Sequence, residues 1–260
     1  MSDSHDLAKM KTSTVSALLA LVATTLPGLQ AQPVLKFNGS STTHKMVLPY
    51  AAAIGSEHNA KIDFVPNGTG RGLADLAVGR ADVAMITGDL AYFAKLLNDA
   101  HPGTIDPAKV RTFKLADLEK TAAVAIVHPS NPVTKLTHEQ LQDLFSGKIT
   151  NWKAVGGPDL AVVPVLPSPS DGVFGSFTVA IMKGMPFAAS ARRVALATDL
   201  PKVVAQLPGA IAFLSVANAS GEVRKVAPDP EFIPPNYFAT IGEPAEPLKS
   251  IISDFLARVK

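Results

Sequence analysis

Residues 34–43 read VLKFNGSSTT, residues 62–72 read IDFVPNGTGRG, and residues 81–89 read ADVAMITGD. Each stretch is a short apolar run, typical of a buried strand, followed by a loop rich in Gly, Ser and Thr. Helices are predicted between them, one ending near residue 54 and one over residues 73–78. Strands that alternate with helices in this way predict βαβ units around a parallel sheet.

The three loops are predicted to lie at one edge of that sheet. In open α/β sheets, ligands bind beyond the carboxyl ends of the strands. Helix N-termini there present free backbone N–H groups and a partial positive charge. Together the loops therefore predict a site for a small anion. The alternative interpretation is that each loop only caps the helix that follows it.

The pattern of strands and helices continues to the end of the chain. Further strands are predicted at 122–127, 162–166 and 210–214, and an amphipathic helix at 247–259. Thr137 and Gln140 have the spacing of a capping box, which predicts that a helix begins there, and Gly147 is expected to end it. The fold class is therefore α/β.

Composition excludes several classes of function. The 260 residues carry a formal net charge of +2, and no basic segment is interleaved with aromatics, so no nucleic-acid partner is expected. Because the chain has no Cys, disulfides, thiolate metal sites and a lipid-modified N-terminal cysteine are excluded. The 6 His residues show no metal-binding spacing. Neither a metal nor a cofactor is expected.

The first residues have the pattern of a secretory signal. Lys9 and Lys11 precede an apolar run at 15–26, and a small residue, Ala31, follows Pro27. This pattern predicts a cleavable signal peptide over residues 1–31 and export to the periplasm. Translation begins at Met1 or, because residues 1–8 are unusually acidic, at Met10.

Two later stretches carry a resemblance to a known family. Residues 131–152 contain NPV, LTHEQL and LFSGKITNW, and residues 208–215 read PGAIAFLS. In this order they resemble the phosphate-binding protein of bacterial phosphate ABC transporters. The resemblance implies the type II periplasmic binding protein fold, in which two α/β lobes joined by a crossover hinge close on a ligand. It implies one lobe at 33–121 and 223–260 and a second at 122–222.

The same resemblance implies a function and a set of ligand residues. The protein is expected to act as a monomer that captures a small oxyanion, phosphate first, for an ABC permease in the inner membrane. The first lobe would supply its Ser/Thr loop, its glycine-rich loop and the end of its third strand. Arg71 is a candidate cation, and Ser170 is a candidate hydroxyl. The full set of candidate ligand residues is Ser40, Ser41, Thr42, Gly68, Thr69, Arg71, Thr87, Asp89, Ser170 and Gly172.

The second lobe departs from the family. The family's Ser-Gly-Thr falls on Asp171, Gly172 and Val173, and its arginine falls on Pro167. This departure leaves two kinds of alternative. The ligand is a different oxyanion or another small polar solute, or the protein is a signalling or adhesion relative that performs no transport.

An enzyme and a cytosolic effector-sensing domain are the alternatives from other classes of protein. The chain contains no GxSxG elbow, Walker A loop or zincin helix, so it is expected not to be an enzyme. A hydrolase built on Asp89 and Asp171 is the enzymatic alternative. A cytosolic effector-sensing domain of similar fold is a second alternative to the solute-binding protein. The signal segment and the lack of a helix-turn-helix segment disfavour it.

Overall fold

The computed structural model describes residues 31–116 and 122–259, so the predicted signal peptide lies almost wholly outside the described residues. In the described chain, no helix is both long and apolar enough to cross a membrane. The strands, in chain order, are β1 (Val34–Gly39), β2 (Lys61–Val65), β3 (Val83–Thr87), β4 (Val110–Lys114), β5 (Ala123–Val127), β6 (Lys135–Thr137), β7 (Val163–Leu166), β8 (Arg192–Arg193), β9 (Ala210–Ser215), β10 (Arg224–Asp229) and β11 (Asn236–Ile241).

The helices alternate with these strands along the chain. In order, the α-helices are α1 (Ser41–Glu57), α2 (Thr69–Ala77), α3 (Leu90–Ala100), α4 (His138–Ser146), α5 (Gly172–Phe177), α6 (Leu200–Ala205) and α7 (Leu248–Arg258). The capping box at Thr137 and Gln140 is present, and Gly147 ends α4 with a left-handed backbone, as predicted.

The strands form two sheets. The first has the order β2-β1-β3-β11-β4, with β1, β2 and β3 parallel and β11 antiparallel to β3 and β4. The second has the order β6-β10-β5-β9-β7-β8, with β7 parallel to β8 and β9. By sheet membership β10 belongs with the second sheet, whereas the predicted lobe boundary assigned residues from 223 onward to the first lobe. We therefore propose that the boundary between lobes falls after Asp229.

Each sheet has a hydrophobic core on both faces. In β3, Val83 and Met85 pack in one cluster of the first sheet, and Ala84 and Ile86 pack in another. The strands β5 and β9 of the second sheet alternate between two clusters in the same way. Sheets covered on both faces need strands that are apolar throughout, which explains the continuous apolar runs in the sequence.

The second helix begins earlier than predicted. It starts at Thr69 rather than at residue 73, because Gly68, with φ of 100°, turns the chain out of β2 directly into the helix. Gly72 therefore lies inside the helix, where a Cβ atom would come within 2.4 Å of the Asn38 carbonyl oxygen. Glycine at this position lets α2 pack closely on the end of β1.

Candidate functional site

The ends of β1, β2 and β3 meet in a buried network of hydroxyl groups. The hydroxyls of Ser40 and Thr87 lie 2.6 Å apart, and the Thr87 hydroxyl donates to Asn236 Oδ1 at 2.6 Å. Because the Thr87 hydrogen is committed to Asn236, Ser40 must be the donor to Thr87. Ser40 Oγ also caps α1, accepting from the backbone N–H groups of Thr42 and Thr43.

The second loop is held to the same network. Thr69 Oγ1 accepts from the Thr87 backbone N–H at 3.2 Å, and the Gly68 N–H donates to the Gly39 carbonyl at 2.8 Å. The predicted convergence of three strand-end loops is therefore present. Ser40, Thr69 and Thr87 are buried, and Thr87 bonds to both of the others, so these residues hold the loops together and leave other groups to face a ligand.

Residues at the carboxyl ends of β7 and β9 pack directly against these loops. The Gly70 N–H donates to the Ser170 carbonyl at 2.9 Å, and the Thr42 hydroxyl donates to Ser215 Oγ at 2.9 Å. Asn218 Nδ2 donates to Ser41 Oγ at 3.0 Å. The two sheets thus meet through the loops that follow the carboxyl ends of five strands.

Glycine allows this approach. A Cβ atom on Gly172 would lie 2.5 Å from both Thr69 Oγ1 and the Thr87 carbonyl oxygen. A Cβ atom on Gly88 would lie 2.2 Å from Ser176 Oγ. The N-terminal turn of α5 consequently rests on the ends of β2 and β3.

A small cleft opens beside this contact, with a volume of about 30 Å³. Ser41, Gly68 and Arg71 line it from the first sheet's elements, and Ser170 and Asp171 from the second's. Arg71 makes no hydrogen bond or ion pair within the described residues, so its guanidinium is available to an anion. The remaining lining residues are Pro66, Asn67, Ser168, Ala195, Leu196, Ala197 and Thr198.

Asp171 caps α5 and also lines the cleft. Its carboxylate accepts from the Phe174 backbone N–H at 3.0 Å. Burial raises the pKa of the Asp171 carboxyl above its ordinary value, and hydrogen bonds from the backbone N–H groups of Phe174 and Val173 oppose that rise.

The position where the resemblance implies an arginine is Pro167, which is buried. The Arg193 guanidinium donates to the Pro167 carbonyl at 3.4 Å and lies 6.0 Å from the centre of the Phe174 ring. Arg193 is not among the residues that line the cleft. Arg71, on the opposite wall, is the cation of the cleft.

The third loop is fixed by groups outside the cleft. Asp89 is exposed, caps α3 by accepting from the Ala91 N–H at 2.7 Å, and does not line the cleft. The Tyr237 hydroxyl donates to the Gly88 carbonyl at 2.7 Å. Burial is the main reason that the pKa of Tyr237 rises to about 12.

The structure sorts the predicted ligand residues into three groups. Those that line the cleft are Ser41, Gly68, Arg71 and Ser170. Those that lie in the buried contact beside it are Ser40, Thr42, Thr69, Thr87 and Gly172. Asp89 lies apart from both. The list of candidate ligand residues omitted Asn67, Ser215 and Asn218, and it kept Ser170 rather than Ser168 as the replacement hydroxyl. Each of these polar residues lies at the end of a strand or shortly after one, which is the signal that identified the others.

Asp75 holds Asn67 in place at the cleft. Its carboxylate accepts from Asn38 Nδ2 at 2.8 Å, from Asn67 Nδ2 at 3.0 Å and from the Arg80 guanidinium at 2.8 Å. Burial acts to raise the pKa of Asp75, but the hydrogen bonds from Asn38, Arg80 and Asn67 outweigh it and lower the pKa below its ordinary value.

Replacing Asp75 by alanine is expected to lower the free energy of unfolding at pH 7 by about 1.5–3 kcal/mol, the contribution of a charge-assisted hydrogen bond. A carboxyl group whose pKa is lower in the folded state than in the unfolded state stabilises the folded protein at pH values above its unfolded pKa. This stabilisation is lost as the pH falls through the pKa of the folded state. Urea denaturation should show a difference between variant and wild type that shrinks below about pH 4. Glu231→Ala removes an exposed carboxylate that makes no hydrogen bond or ion pair in the described chain, so it is the control and should unfold like wild type. A difference between Asp75→Ala and wild type that grows on acidification would contradict the prediction.

Comparison with known proteins assigns the chain to a family. Residues 24–253 match the PBP superfamily domain. The chain belongs to the PBP superfamily. Within the described residues of this PBP superfamily member, no group of three or more His, Asp or Glu side chains could hold a metal ion.

Relatives and solved structures of the PBP superfamily resemble the chain over most of its length. The phosphate-binding protein PstS of Bacillus subtilis is 28% identical over 187 residues, covering 72% of this chain and 58% of that protein. PstS of Staphylococcus epidermidis is 25% identical over 150 residues, covering 56% of this chain and 44% of its own. The chain therefore spans about half the length of the curated relatives it matches.

A solved structure confirms the fold. A phosphate ABC transporter substrate-binding protein from Clostridium perfringens, solved with bound phosphate, superposes with a TM-score of 0.71 at 21% identity, covering 85% of this chain and 92% of that one. The predicted type II periplasmic binding protein fold is thus confirmed, and the relatives named here are binding proteins rather than enzymes.

Proposed function

We propose that this protein captures a small oxyanion, phosphate first, in the cleft between its two sheets. The observation that carries the proposal is Arg71, a guanidinium without a partner in the described chain, on the wall of a small cleft at the ends of five strands. The Ser41 hydroxyl faces the same cleft and accepts from Asn218, which leaves its own hydrogen for an anion. The names of the relatives favour phosphate among oxyanions.

The proposal extends to the protein's setting. The protein would be exported to the periplasm by its signal segment and would work as a monomer. Its two lobes would close on the anion about the crossover segments, and the closed form would deliver the anion to an ABC permease in the inner membrane. Binding without turnover is the expected activity.

Asp171 makes the site selective between oxyanions. Its carboxylate can accept a hydrogen bond from hydrogen phosphate, which retains a proton near pH 7. Sulfate has no hydrogen to donate, so the same carboxylate repels it. The cleft is expected to bind phosphate more tightly than sulfate.

Titration calorimetry with phosphate and sulfate tests the proposal. Ser41→Ala is expected to weaken phosphate binding about fivefold, because one hydrogen bond contributes about 1 kcal/mol. Ser190→Ala, an exposed serine outside the cleft, is the matched control and should bind like wild type. The absence of heat at millimolar phosphate would show that the protein is not a phosphate-capture protein.

A further inference from the structure

The strand β2 lies at the outer edge of the first sheet, and no described strand pairs with its outer side. The Lys61 N–H donates to the Pro33 carbonyl at 2.9 Å, on the side of β1. Because neighbouring residues of a strand direct their backbone groups to opposite sides, the N–H and C=O groups of Ile62 and Phe64 point away from the sheet. An edge of this kind is a template for pairing with another strand.

Apolar side chains are exposed around this edge. Val34, Leu48 and Val65 are 46%, 50% and 47% exposed. Val34 pairs with Lys61 across β1 and β2, and Val65 ends β2. On the face that α1 covers, an open groove of about 380 Å³ lies between α1 and β2, and its apolar lining consists of Leu48, Ala51, Ala52, Gly55, Ile62 and Phe64. Exposed apolar surface of this extent is typical of a protein–protein contact.

Two opposite charges lie on the other face of β2. Lys61 and Asp63 are two residues apart, so their side chains project from the same face, where their charged groups lie 2.8 Å apart. An antiparallel copy of β2, related by a two-fold axis at Ile62, would place Lys61 opposite the copy's Asp63 and Asp63 opposite the copy's Lys61. Pairing centred on Asp63 would instead place two aspartates opposite each other. The strand is therefore complementary in charge to itself in one register.

The backbone favours the same register. Ile62 directs its N–H and C=O outward, and two such residues directly opposite each other in an antiparallel pair exchange two hydrogen bonds. Residues opposite each other also project from the same face of a sheet, so both Ile62 side chains would lie on the α1 face. The apolar groove of each copy would then continue into that of the other, with the exposed Leu48 at the junction.

We propose that the edge of β2 is the contact surface of a symmetric dimer, in which a second copy of this chain extends the first sheet. The two five-stranded sheets would form one continuous sheet. This inference departs from the monomer proposed above only in that association. No described residue lines both the groove and the oxyanion cleft, so each copy would still capture its anion by itself.

Sedimentation velocity of the purified protein, from nanomolar to high micromolar concentration, tests the inference. The expected result is a reversible equilibrium that shifts from monomer to dimer as the concentration rises. Leu48→Gln is expected to weaken the dimer about 10-fold, because each copy loses an apolar side chain from the contact. Ile241→Gln is the matched control, since Ile241 is 46% exposed in β11, away from the β2 edge. A monomer at every concentration would overturn the inference.

The variants Lys61→Asp and Asp63→Lys test the register. Each variant alone places like charges opposite each other in both symmetry-related pairs, so each is expected to dimerise at least about 10-fold more weakly than wild type. An equimolar mixture of the two variants has opposite charges in both pairs, so heterodimers should form with about wild-type affinity. If each variant alone dimerises like wild type, or if the mixture does not associate, the inference is wrong.

Phosphate calorimetry on the same proteins separates this inference from the oxyanion proposal. Lys61→Asp is expected to bind phosphate like wild type, because Lys61 does not line the cleft. A protein that dimerises but gives no heat with phosphate would refute oxyanion capture and leave the dimer in place. A protein that binds phosphate but stays monomeric at every concentration would refute the dimer alone.

Discussion

Replacing Trp152 by alanine is expected to lower the free energy of unfolding by about 3–5 kcal/mol, as is typical for a large aromatic side chain in a core. Trp152 is 0% exposed and lies in the core cluster of the second sheet. Its indole N–H donates to the Gly209 carbonyl at 3.0 Å, just before β9 begins. The substitution would therefore create a cavity and leave a buried carbonyl without its partner.

Urea denaturation followed by circular dichroism measures this loss. Trp152→Phe keeps much of the packing but removes the N–H, so it should lower the free energy of unfolding by less than Trp152→Ala does. Because both variants lack the N–H, the difference between their free energies of unfolding reports the cavity alone. Because domains are stabilised by only about 5–15 kcal/mol, the alanine variant should unfold at markedly lower urea. A midpoint like that of wild type would show that the central motif does not support the core.

Replacing Gly172 by valine is expected to reduce oxyanion affinity by about two orders of magnitude or more. A Cβ atom at this position would lie 2.5 Å from Thr69 Oγ1, so α5 must move away from the ends of β2 and β3. Arg71 and Ser41 would then be too far from Ser170 for one ligand to contact all three. Loss of two hydrogen bonds to an anion, each contributing about 1.5–3 kcal/mol, gives this factor.

Gly221→Val is the matched control for this test. A Cβ atom on Gly221 would meet no atom within 4 Å, and the residue does not line the cleft. Calorimetry with phosphate should therefore give wild-type affinity for Gly221→Val and strongly weakened binding for Gly172→Val. Circular dichroism should show that both variants are folded. Undiminished phosphate binding by Gly172→Val would mean that the ligand does not bind between the sheets.

The loops that end β1, β2 and β3 show why part of the site was predictable. Parallel neighbouring strands place their carboxyl ends together, so three Gly/Ser/Thr-rich loops in succession were bound to meet. The prediction did not separate the two roles that these residues take. Ser40 and Thr87 bond to each other in the buried network, whereas Ser41, the next residue after Ser40, faces the cleft.

Asp89 and Asp171 illustrate the same limit. Both are aspartates that follow a strand and cap the next helix, and nothing local distinguishes them. Asp89 is exposed away from the cleft, while Asp171 lines it opposite Arg71. The difference depends on where the second sheet's loops lie, which is set by contacts between residues more than a hundred positions apart, such as Thr42 with Ser215.

The sequence by itself determined the α/β class, the capping box that begins α4 and the convergence of the first three strand ends, because these follow from periodicity and from local hydrogen bonding. It also determined the family, through the long motif around Trp152. Only the tertiary structure decided that the cation of the cleft is Arg71, that Pro167 is buried beneath Arg193, and that β10 pairs in the second sheet. These features arise from packing between distant segments, and no local pattern of residues specifies such packing.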